Sequence, residues 1–142
     1  MRAVLDVNVL VAALLSAGCA PARLLTNWLD GGFELVVSAE LLTELERALS
    51  YPKVCACVSA DEARRLVVLL ETGALLLRDP PDEPPVEPAD PDDRYLVALA
   101  AAAEAVLVTG DAGLLALRDR GLPVLRPAEF LLEVERRPPP AG

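Results

Sequence analysis

The first fifteen residues, Met1-Arg-Ala-Val-Leu-Asp-Val-Asn-Val-Leu-Val-Ala-Ala-Leu-Leu15, decide the fold. Ala3 to Leu5 form an apolar run without polar alternation, which is typical of a strand buried on both faces of a parallel sheet. The run ends at Asp6, and Asn8 can cap a helix whose apolar body extends to Leu15. This pattern predicts that Asp6 lies at the carboxyl end of a central strand, where open α/β sheets bind their ligands.

A similar unit occurs late in the chain. Ala105-Val-Leu-Val108 is again short and apolar, and it runs into Thr109-Gly110-Asp111 and a further apolar helical segment. If the two strands are neighbours, Asp6 and Asp111 face each other across one crevice. Two carboxylates at close range repel each other unless one is protonated or a cation lies between them.

Short apolar runs alternate with amphipathic segments through the rest of the chain. This alternation predicts a three-layer α/β/α fold with a central parallel sheet of about five strands. Residues 1–136 are expected to form a single domain, and residues 137–142 a disordered, Pro-rich tail. The further strands are predicted near 33–37, 74–77 and 124–125, and the further helices near 21–30, 39–50, 59–73, 90–103, 111–120 and from 127 onward.

Composition limits the function classes. The net charge of −9 disfavours a protein that coats nucleic acid, but it leaves open an enzyme that holds nucleic acid through metal ions and a few local arginines. The chain has no His, so the commonest general base and zinc ligand is missing. Cys19, Cys55 and Cys57 lack a zinc-ribbon spacing, which indicates free thiols in a reducing cytoplasm. The first apolar segment is interrupted by Asp6 and Asn8, so no membrane association is expected.

Two further acidic positions can join Asp6 and Asp111. Glu44 and Glu46 flank the apolar stripe of the third predicted helix, and helix geometry alone does not choose between them. The third helix is followed much later by Asp90-Pro91-Asp92-Asp93, a strong helix start in which Asp92 and Asp93 fall in the first turn. Acids are favoured there by the helix dipole in any case, so capping alone is an alternative explanation.

Four carboxylates without a nearby His or Lys form a poor acid–base set. They are suitable oxygen ligands for Mg²⁺ or Mn²⁺. Such an ion lowers the pKa of a bound water and stabilises the charge that develops on a phosphoryl group. The composition of this acidic set therefore favours phosphodiester hydrolysis without a protein nucleophile.

The chain resembles the PIN domain, a family of metal-dependent ribonucleases, over about residues 2–132. Four segments in order carry the resemblance: Asp6-Val-Asn-Val-Leu-Val-Ala-Ala, Val37-Ser-Ala-Glu-Leu-Leu-Thr-Glu44-Leu, Asp90-Pro-Asp-Asp93-Arg-Tyr-Leu-Val-Ala-Leu-Ala and Val108-Thr-Gly-Asp111. The resemblance implies that the catalytic and metal-binding residues are Asp6, Glu44, Asp93 and Asp111. It also implies that Asn8 and Thr109 support the site by hydrogen bonding.

Two positions depart from the family pattern. Val7 stands where the family usually has Thr or Ser, and Gly113 stands where a further acid often follows the Thr-Gly-Asp segment. The first change removes a hydroxyl near the metal and the second a possible extra ligand. The four core acids are unaffected, so activity is expected to survive.

As a short single-domain chain, it is most similar within this family to the toxins of type II (VapBC-like) toxin–antitoxin pairs. That similarity implies a cytoplasmic homodimer with an RNA substrate and a small antitoxin partner. The alternatives are a catalytically weak regulatory domain that binds RNA or protein, and a haloacid-dehalogenase-like phosphatase. The phosphatase needs a second Asp where this chain has Asn8, and a phosphoreceiver domain would need paired acids at the first strand and a late Lys.

Overall fold

A parallel sheet lies at the centre of the computed structural model, which describes residues 1–81 and 83–137. The strand order is β3-β2-β1-β4-β5, and every neighbouring pair is parallel. The strands are β1 (Arg2–Leu5), β2 (Glu34–Val37), β3 (Leu75–Leu76), β4 (Val106–Val108) and β5 (Val124–Leu125). The sheet confirms the predicted three-layer α/β/α architecture, with helices packed on both faces.

The helices follow the predicted pattern closely. The capping box at Ser59 and Glu62 opens one of them as expected. The helices are α1 (Val7–Leu15), α2 (Ala20–Leu29), α3 (Ala39–Leu49), α4 (Pro52–Cys55), α5 (Ala60–Gly73), α6 (Arg94–Ala103), α7 (Ala112–Leu115) and α8 (Pro127–Arg136), with 3₁₀ turns at Pro91–Asp93 and Ala116–Arg120. In the part of the chain that the structure describes, no single helix is long and apolar enough to cross a membrane. Taken together, α1 and α2 have the length and composition of a membrane span, but the two helices are bent by 98° relative to each other.

The structure corrects the predicted start of α1. Asp6, rather than Asn8, is the N-cap residue, because its carbonyl oxygen accepts the N–H groups of Val9 and Leu10. Asn8 is therefore a first-turn residue of the helix. The carboxyl end of β1 and the amino end of α1 meet at the same residue, so the backbone of Asp6 is fixed by both elements.

Three other boundaries differ from the prediction. The segment after Asp90 begins as a 3₁₀ turn, in which the Asp90 carboxylate accepts the Asp92 N–H, and the α-helix starts only at Arg94. The segment predicted as one helix over 111–120 divides into α7 and a 3₁₀ turn. The short helix α4 was not predicted. Of the predicted tail, residues 138–142 lie outside the described residues, and Arg137 is the C-cap of α8.

The strand order reverses direction beside β1, which makes this position the topological switch point of the sheet. The chain builds the sheet outward from β1 through β2 to β3, and then returns to the other side of β1 with β4 and β5. Leu5 pairs with Val108, and the Asp6 N–H donates to the Val108 carbonyl oxygen at 2.9 Å. The residues that follow β1 and β4 therefore open into one crevice, which is where such folds bind ligands.

Candidate active site

A buried hydroxyl links the ends of the two central strands. The Thr109 Oγ1 donates to Asp6 Oδ2 at 2.7 Å and accepts the Asp111 N–H at 3.0 Å. Thr109 and Asp6 are both buried, with exposed fractions of 0% and 6%. One side chain therefore sets the positions of the two acids that the sequence predicted to face each other.

The Asp6 carboxyl group lies in an environment that opposes its charge. Burial raises the pKa of Asp6, and the negative charge of Asp111 raises it further. The Thr109 hydroxyl and the backbone N–H groups of Val7 and Asn8 act in the opposite direction, since they favour the ionised form. A buried acid that is poised between these influences is typical of a functional site.

Asp93 approaches the same crevice from the start of α6. Burial raises the pKa of Asp93 to about 6, with further contributions from Asp6, Asp90 and Asp111, and the smallest from Asp92. The neighbouring Asp92 is exposed, whereas Asp93 is half-buried. The 3₁₀ turn thus leaves Asp92 at the surface and places Asp93, the acid that the family resemblance implied, in the less exposed position.

Asp111 differs from the other two acids because its side chain also caps a helix. Its Oδ2 accepts the Leu114 N–H at 2.9 Å, at the start of α7. Asp111 therefore has a structural role of the kind that the sequence analysis offered as an alternative for Asp92 and Asp93. A Cβ at Gly113 would lie 3.1 Å from that same oxygen. Glycine at this position therefore leaves room for the cap, and any side chain here would require that oxygen to shift by a few tenths of an ångström.

Glu44 lies on α3 and is held by a neighbouring arginine. Its Oε1 is 2.9 Å from a guanidinium nitrogen of Arg47, one helical turn further on. Glu44 lines a cleft together with Tyr95 and Asp92, whereas Glu46 lines a separate groove between α3 and α5. The structure therefore places Glu44, and not Glu46, on the side of α3 that borders the acidic crevice.

Tyr95 is a site residue that the sequence analysis missed. Burial raises the pKa of its phenol, and the charges of Asp6, Glu44 and Asp93 raise it further. Tyr95 lines the same cleft as Glu44 and is close enough to Asp6 and Asp93 for their charges to act on its phenol. Its sequence signal was its position two residues after Asp93, inside one of the four segments that carry the family resemblance.

The four acids offer carboxylate oxygens, which are the ligands that a hard divalent cation prefers. In this structure, those oxygens do not surround one point. Among residues 1–81 and 83–137, no three acidic or Cys side chains are close enough together to hold a metal ion as they stand. Within the same ranges, no Arg or Lys forms an ion pair with Asp6, Asp93 or Asp111. Carboxylates that repel each other and lack a cationic partner are suitable ligands for Mg²⁺ or Mn²⁺.

The side chains of Asn8 and Val7, two positions noted in the sequence, make no side-chain hydrogen bond to Asp6 in the described part of the chain. Asn8 is exposed on the first turn of α1, and it acts on Asp6 through its backbone N–H. Val7, which replaces the usual hydroxyl residue, is buried beside Asp6. The hydroxyl that contacts Asp6 is supplied instead by Thr109.

Comparisons with known proteins agree with this architecture. The chain matches the family model described as PIN domain over residues 2–113, and it belongs to that family. A chain in the crystal structure of VapBC2 from Rickettsia felis, bound to a DNA fragment from their promoter, superposes with a TM-score of 0.61. It is 14% identical, and the match covers 89% of this chain and 98% of that one.

A second similar structure is a PilT N-terminus domain protein from the hyperthermophilic archaeon Sulfolobus solfataricus P2. It superposes with a TM-score of 0.57 at 12% identity, and the match covers 100% of both chains. At these identities, the likeness shows a shared fold. A search of curated proteins by sequence found no match.

Proposed function

We propose that the protein is a metal-dependent endoribonuclease that hydrolyses RNA phosphodiester bonds. The observation that carries the proposal is that Thr109 links Asp6 to Asp111 at the ends of β1 and β4, with Asp93 near enough for their charges to act on it and with no ion pair to these acids in the described residues. Membership of the PIN domain family supports the same chemistry. Capping of α7 accounts for Asp111, but it does not explain why Asp6 and Asp93 lie near it.

In this proposal, the four acids bind the metal ion and Thr109 positions one of them. Asp6, Asp93, Asp111 and Glu44 would hold Mg²⁺ or Mn²⁺, and Thr109 orients the Asp6 carboxylate. When bound, such an ion activates water and stabilises the negative charge on the phosphoryl oxygens. Asp93, with its pKa of about 6, must lose its proton to act as a ligand, so the site is best formed near neutral pH.

The biological setting that we propose is a toxin–antitoxin pair. The similarity in fold to a chain of the VapBC2 structure supports a toxin that acts on RNA in the cytoplasm. In this proposal, the chain forms a homodimer and is inhibited by a small antitoxin. The net charge of −9 would suit an antitoxin segment that carries arginine into the acidic crevice.

The test is cleavage of a quenched fluorescent RNA by the purified protein. Fluorescence is followed with Mn²⁺, with Mg²⁺ and with EDTA, for the wild type and for Asp6→Asn. Asp119→Asn is the matched control, because it removes one carboxylate from an exposed position on the 3₁₀ turn after α7. The proposal predicts cleavage that requires a divalent ion, is lost in Asp6→Asn and is retained in Asp119→Asn.

Contaminating ribonuclease is the main competing source of a signal. It would cleave equally in the Asp6→Asn preparation, so equal rates in the two preparations would overturn the proposal. If no metal supports cleavage, Mn²⁺ is titrated into the protein. Absence of both cleavage and metal binding would favour the regulatory-domain alternative.

A further inference from the structure

A groove of about 630 Å³ opens between α3 and α5, and none of the four candidate metal ligands lines it. Most of its lining is apolar, and Val68 on α5 is 45% exposed there. The apolar residues of the lining are Leu49, Val58, Ala60, Ala63, Val67 and Val68. An apolar surface that the chain leaves open to solvent is typical of an interaction site.

The helix α5 presents a separate row of side chains to this groove. Its residues Leu66 and Leu70 are buried in the core. The row that lines the groove is Arg64, Val67, Val68 and Glu71. Residues at these intervals lie along one face of a helix, one turn above the other. This face of α5 therefore has the pattern with which one helix packs against another.

The row is complementary to itself. It has a positive charge at Arg64, a negative charge at Glu71, and Val67 and Val68 between them. If two copies of the row pack antiparallel about a two-fold axis, Arg64 of each copy lies opposite Glu71 of the other, and the valines meet at the centre. A two-fold interface requires such a patch, because both copies contribute the same surface to it.

Both charged ends of the row are available for a contact between copies. Arg64 and Glu71 are exposed, and among residues 1–81 and 83–137 neither forms an ion pair. Two chains with a net charge of −9 repel each other. Opposite charges at two fixed points offset this repulsion locally and set the register of the two helices.

Charge also selects a second copy over other helices as the occupant. A uniformly basic helix would oppose Arg64, and a uniformly acidic one would oppose Glu71 and also Glu46, which lines the α3 side of the groove. A helix with both signs in the reverse order satisfies both ends of the row. The antiparallel α5 of a second copy presents that order.

We propose that two copies of the chain associate through the groove between α3 and α5, with the two α5 helices antiparallel and Arg64 of each copy paired with Glu71 of the other. This inference deepens the homodimer of the proposed function by assigning its interface. The acidic crevice of each copy stays outside the contact, because its acids do not line the groove. Oligomeric state is measured without RNA or metal, so failure of the interface and failure of the nuclease are distinguishable.

The test is a set of charge reversals on α5, with the dimer Kd measured by sedimentation equilibrium. Arg64→Glu and Glu71→Arg each turn two attractive contacts into repulsive ones, so each should raise Kd at least ~10-fold. The double variant restores opposite charges and should return Kd to within about threefold of the wild type. The matched control is Arg65→Glu, which makes the same charge change at an exposed position outside the groove and should alter Kd less than about threefold.

A mixture of the two single variants is the sharpest form of this test. A heterodimer of Arg64→Glu with Glu71→Arg has opposite charges at both contacts. The mixture should therefore dimerise at a concentration at which each variant alone is monomeric. Such a result also shows that both variants are folded.

The reactivity of two thiols reports where the copies meet. Cys55 lines the groove and Cys57 does not, although both residues are exposed. Labelling with a maleimide is followed by peptide mass spectrometry at protein concentrations below and above Kd. Labelling of Cys55 should slow as the dimer forms, and that of Cys57 should stay constant.

Three results would overturn the assigned interface. The first is wild-type protein that stays monomeric up to about 100 µM. The second is a dimer that tolerates both single reversals, or one that protects Cys57 and not Cys55. The third is loss of the dimer in the single variants without recovery in either the double variant or the mixture. Metal-dependent cleavage of RNA by the wild type would stand in each case.

Discussion

The two sides of the acidic crevice are built in different ways. On the strand side, Asp6 and Asp111 are tied to each other through the buried Thr109 hydroxyl, and each carboxylate is held within or beside a helix start. On the helix side, Glu44 is half-exposed and is held only by an ion pair with Arg47. The strand side is set by the fold, whereas the helix side is set by an interaction that a ligand can replace.

This difference indicates which parts of the site are ready before ligands bind. A buried hydrogen bond fixes geometry because an unpaired buried group is costly, while an exposed ion pair contributes at most about 1 kcal/mol. We therefore expect the strand-side acids to define the metal position. Glu44 is expected to complete the ligand set once the ion is present.

The largest effect is predicted for Asp6→Asn. Cleavage of RNA should fall at least ~100-fold, because an amide is a poor ligand for a hard cation. Without metal, the same variant should be more stable than the wild type, since it removes a charge whose pKa is raised by burial. A gain of ~1–2 kcal/mol would raise Tm by roughly 3–8 °C. Differential scanning calorimetry in EDTA measures this.

The opposite signs of the two effects are the informative result. A variant that loses both activity and stability would indicate a structural role for the Asp6 charge. Loss of stability in Asp6→Asn would therefore contradict the assignment of Asp6 to the metal site, even if cleavage is abolished.

The second prediction concerns the link between the two strand-end acids. Thr109→Val keeps the shape of the side chain but leaves Asp6 Oδ2 and the Asp111 N–H without their partner. It should cost ~1–3 kcal/mol of stability and weaken Mn²⁺ binding about 10- to 100-fold. Thr109→Ser retains the hydroxyl and serves as the control. If serine and valine behave alike in isothermal titration with Mn²⁺, the hydroxyl is not what orients Asp6.

The strand-side residues were the more predictable half of the site. Short apolar runs that end in an acid identified Asp6 and Asp111, because the carboxyl ends of neighbouring parallel strands meet at one edge. The bond between Thr109 and Asp6 joins residues far apart in sequence, so residue types alone could not give it. The family resemblance was needed to suggest a supporting role for Thr109.

The helix side was less predictable for a physical reason. Helix periodicity gives the apolar stripe of α3 but does not say what packs on each edge, so it left Glu44 and Glu46 equivalent, and only the family resemblance favoured Glu44. The same limitation concealed Tyr95, whose contacts depend on the packing of α6 against α3. The error at Asn8 arose because Asp6 ends β1 and also caps α1, and sequence patterns treat these as separate positions.

The third prediction compares the two glutamates of α3. Glu44→Gln should lower the rate of metal-dependent cleavage about 10-fold, because it removes the one ligand that is expected to bind the ion after the strand-side acids have done so. Glu46→Gln should change the rate less than about twofold, because Glu46 lines the groove on the far side of α3. The pair is measured in one cleavage assay across Mn²⁺ concentrations. Equal losses of cleavage rate in the two variants would mean that the negative charge of either glutamate matters to the site, and that Glu44 is not a specific metal ligand.

The smallest effect is predicted for pH and tests whether Asp93 belongs with the strand-side acids. Its pKa is about 6 in the folded protein and about 4 when unfolded, so folding takes up a proton between these values. This contribution to stability is complete below pH ~4 and is lost as pH rises toward 6. In EDTA, the Tm of Asp93→Asn relative to the wild type should therefore rise over that range and then level off. The change should be only a few degrees, since solvent screens a half-exposed carboxyl group.

Saturating Mn²⁺ at pH 7 should reverse the order of the two proteins. The ion stabilises the wild type by binding its folded state, and Asp93→Asn binds the ion more weakly and gains less. The sign of the Tm difference would then change between EDTA and Mn²⁺. A difference that is flat with pH would contradict the raised pKa of Asp93. A difference with the same sign in both solutions would separate Asp93 from the metal site and leave Asp6 and Asp111 as its only strand-side ligands.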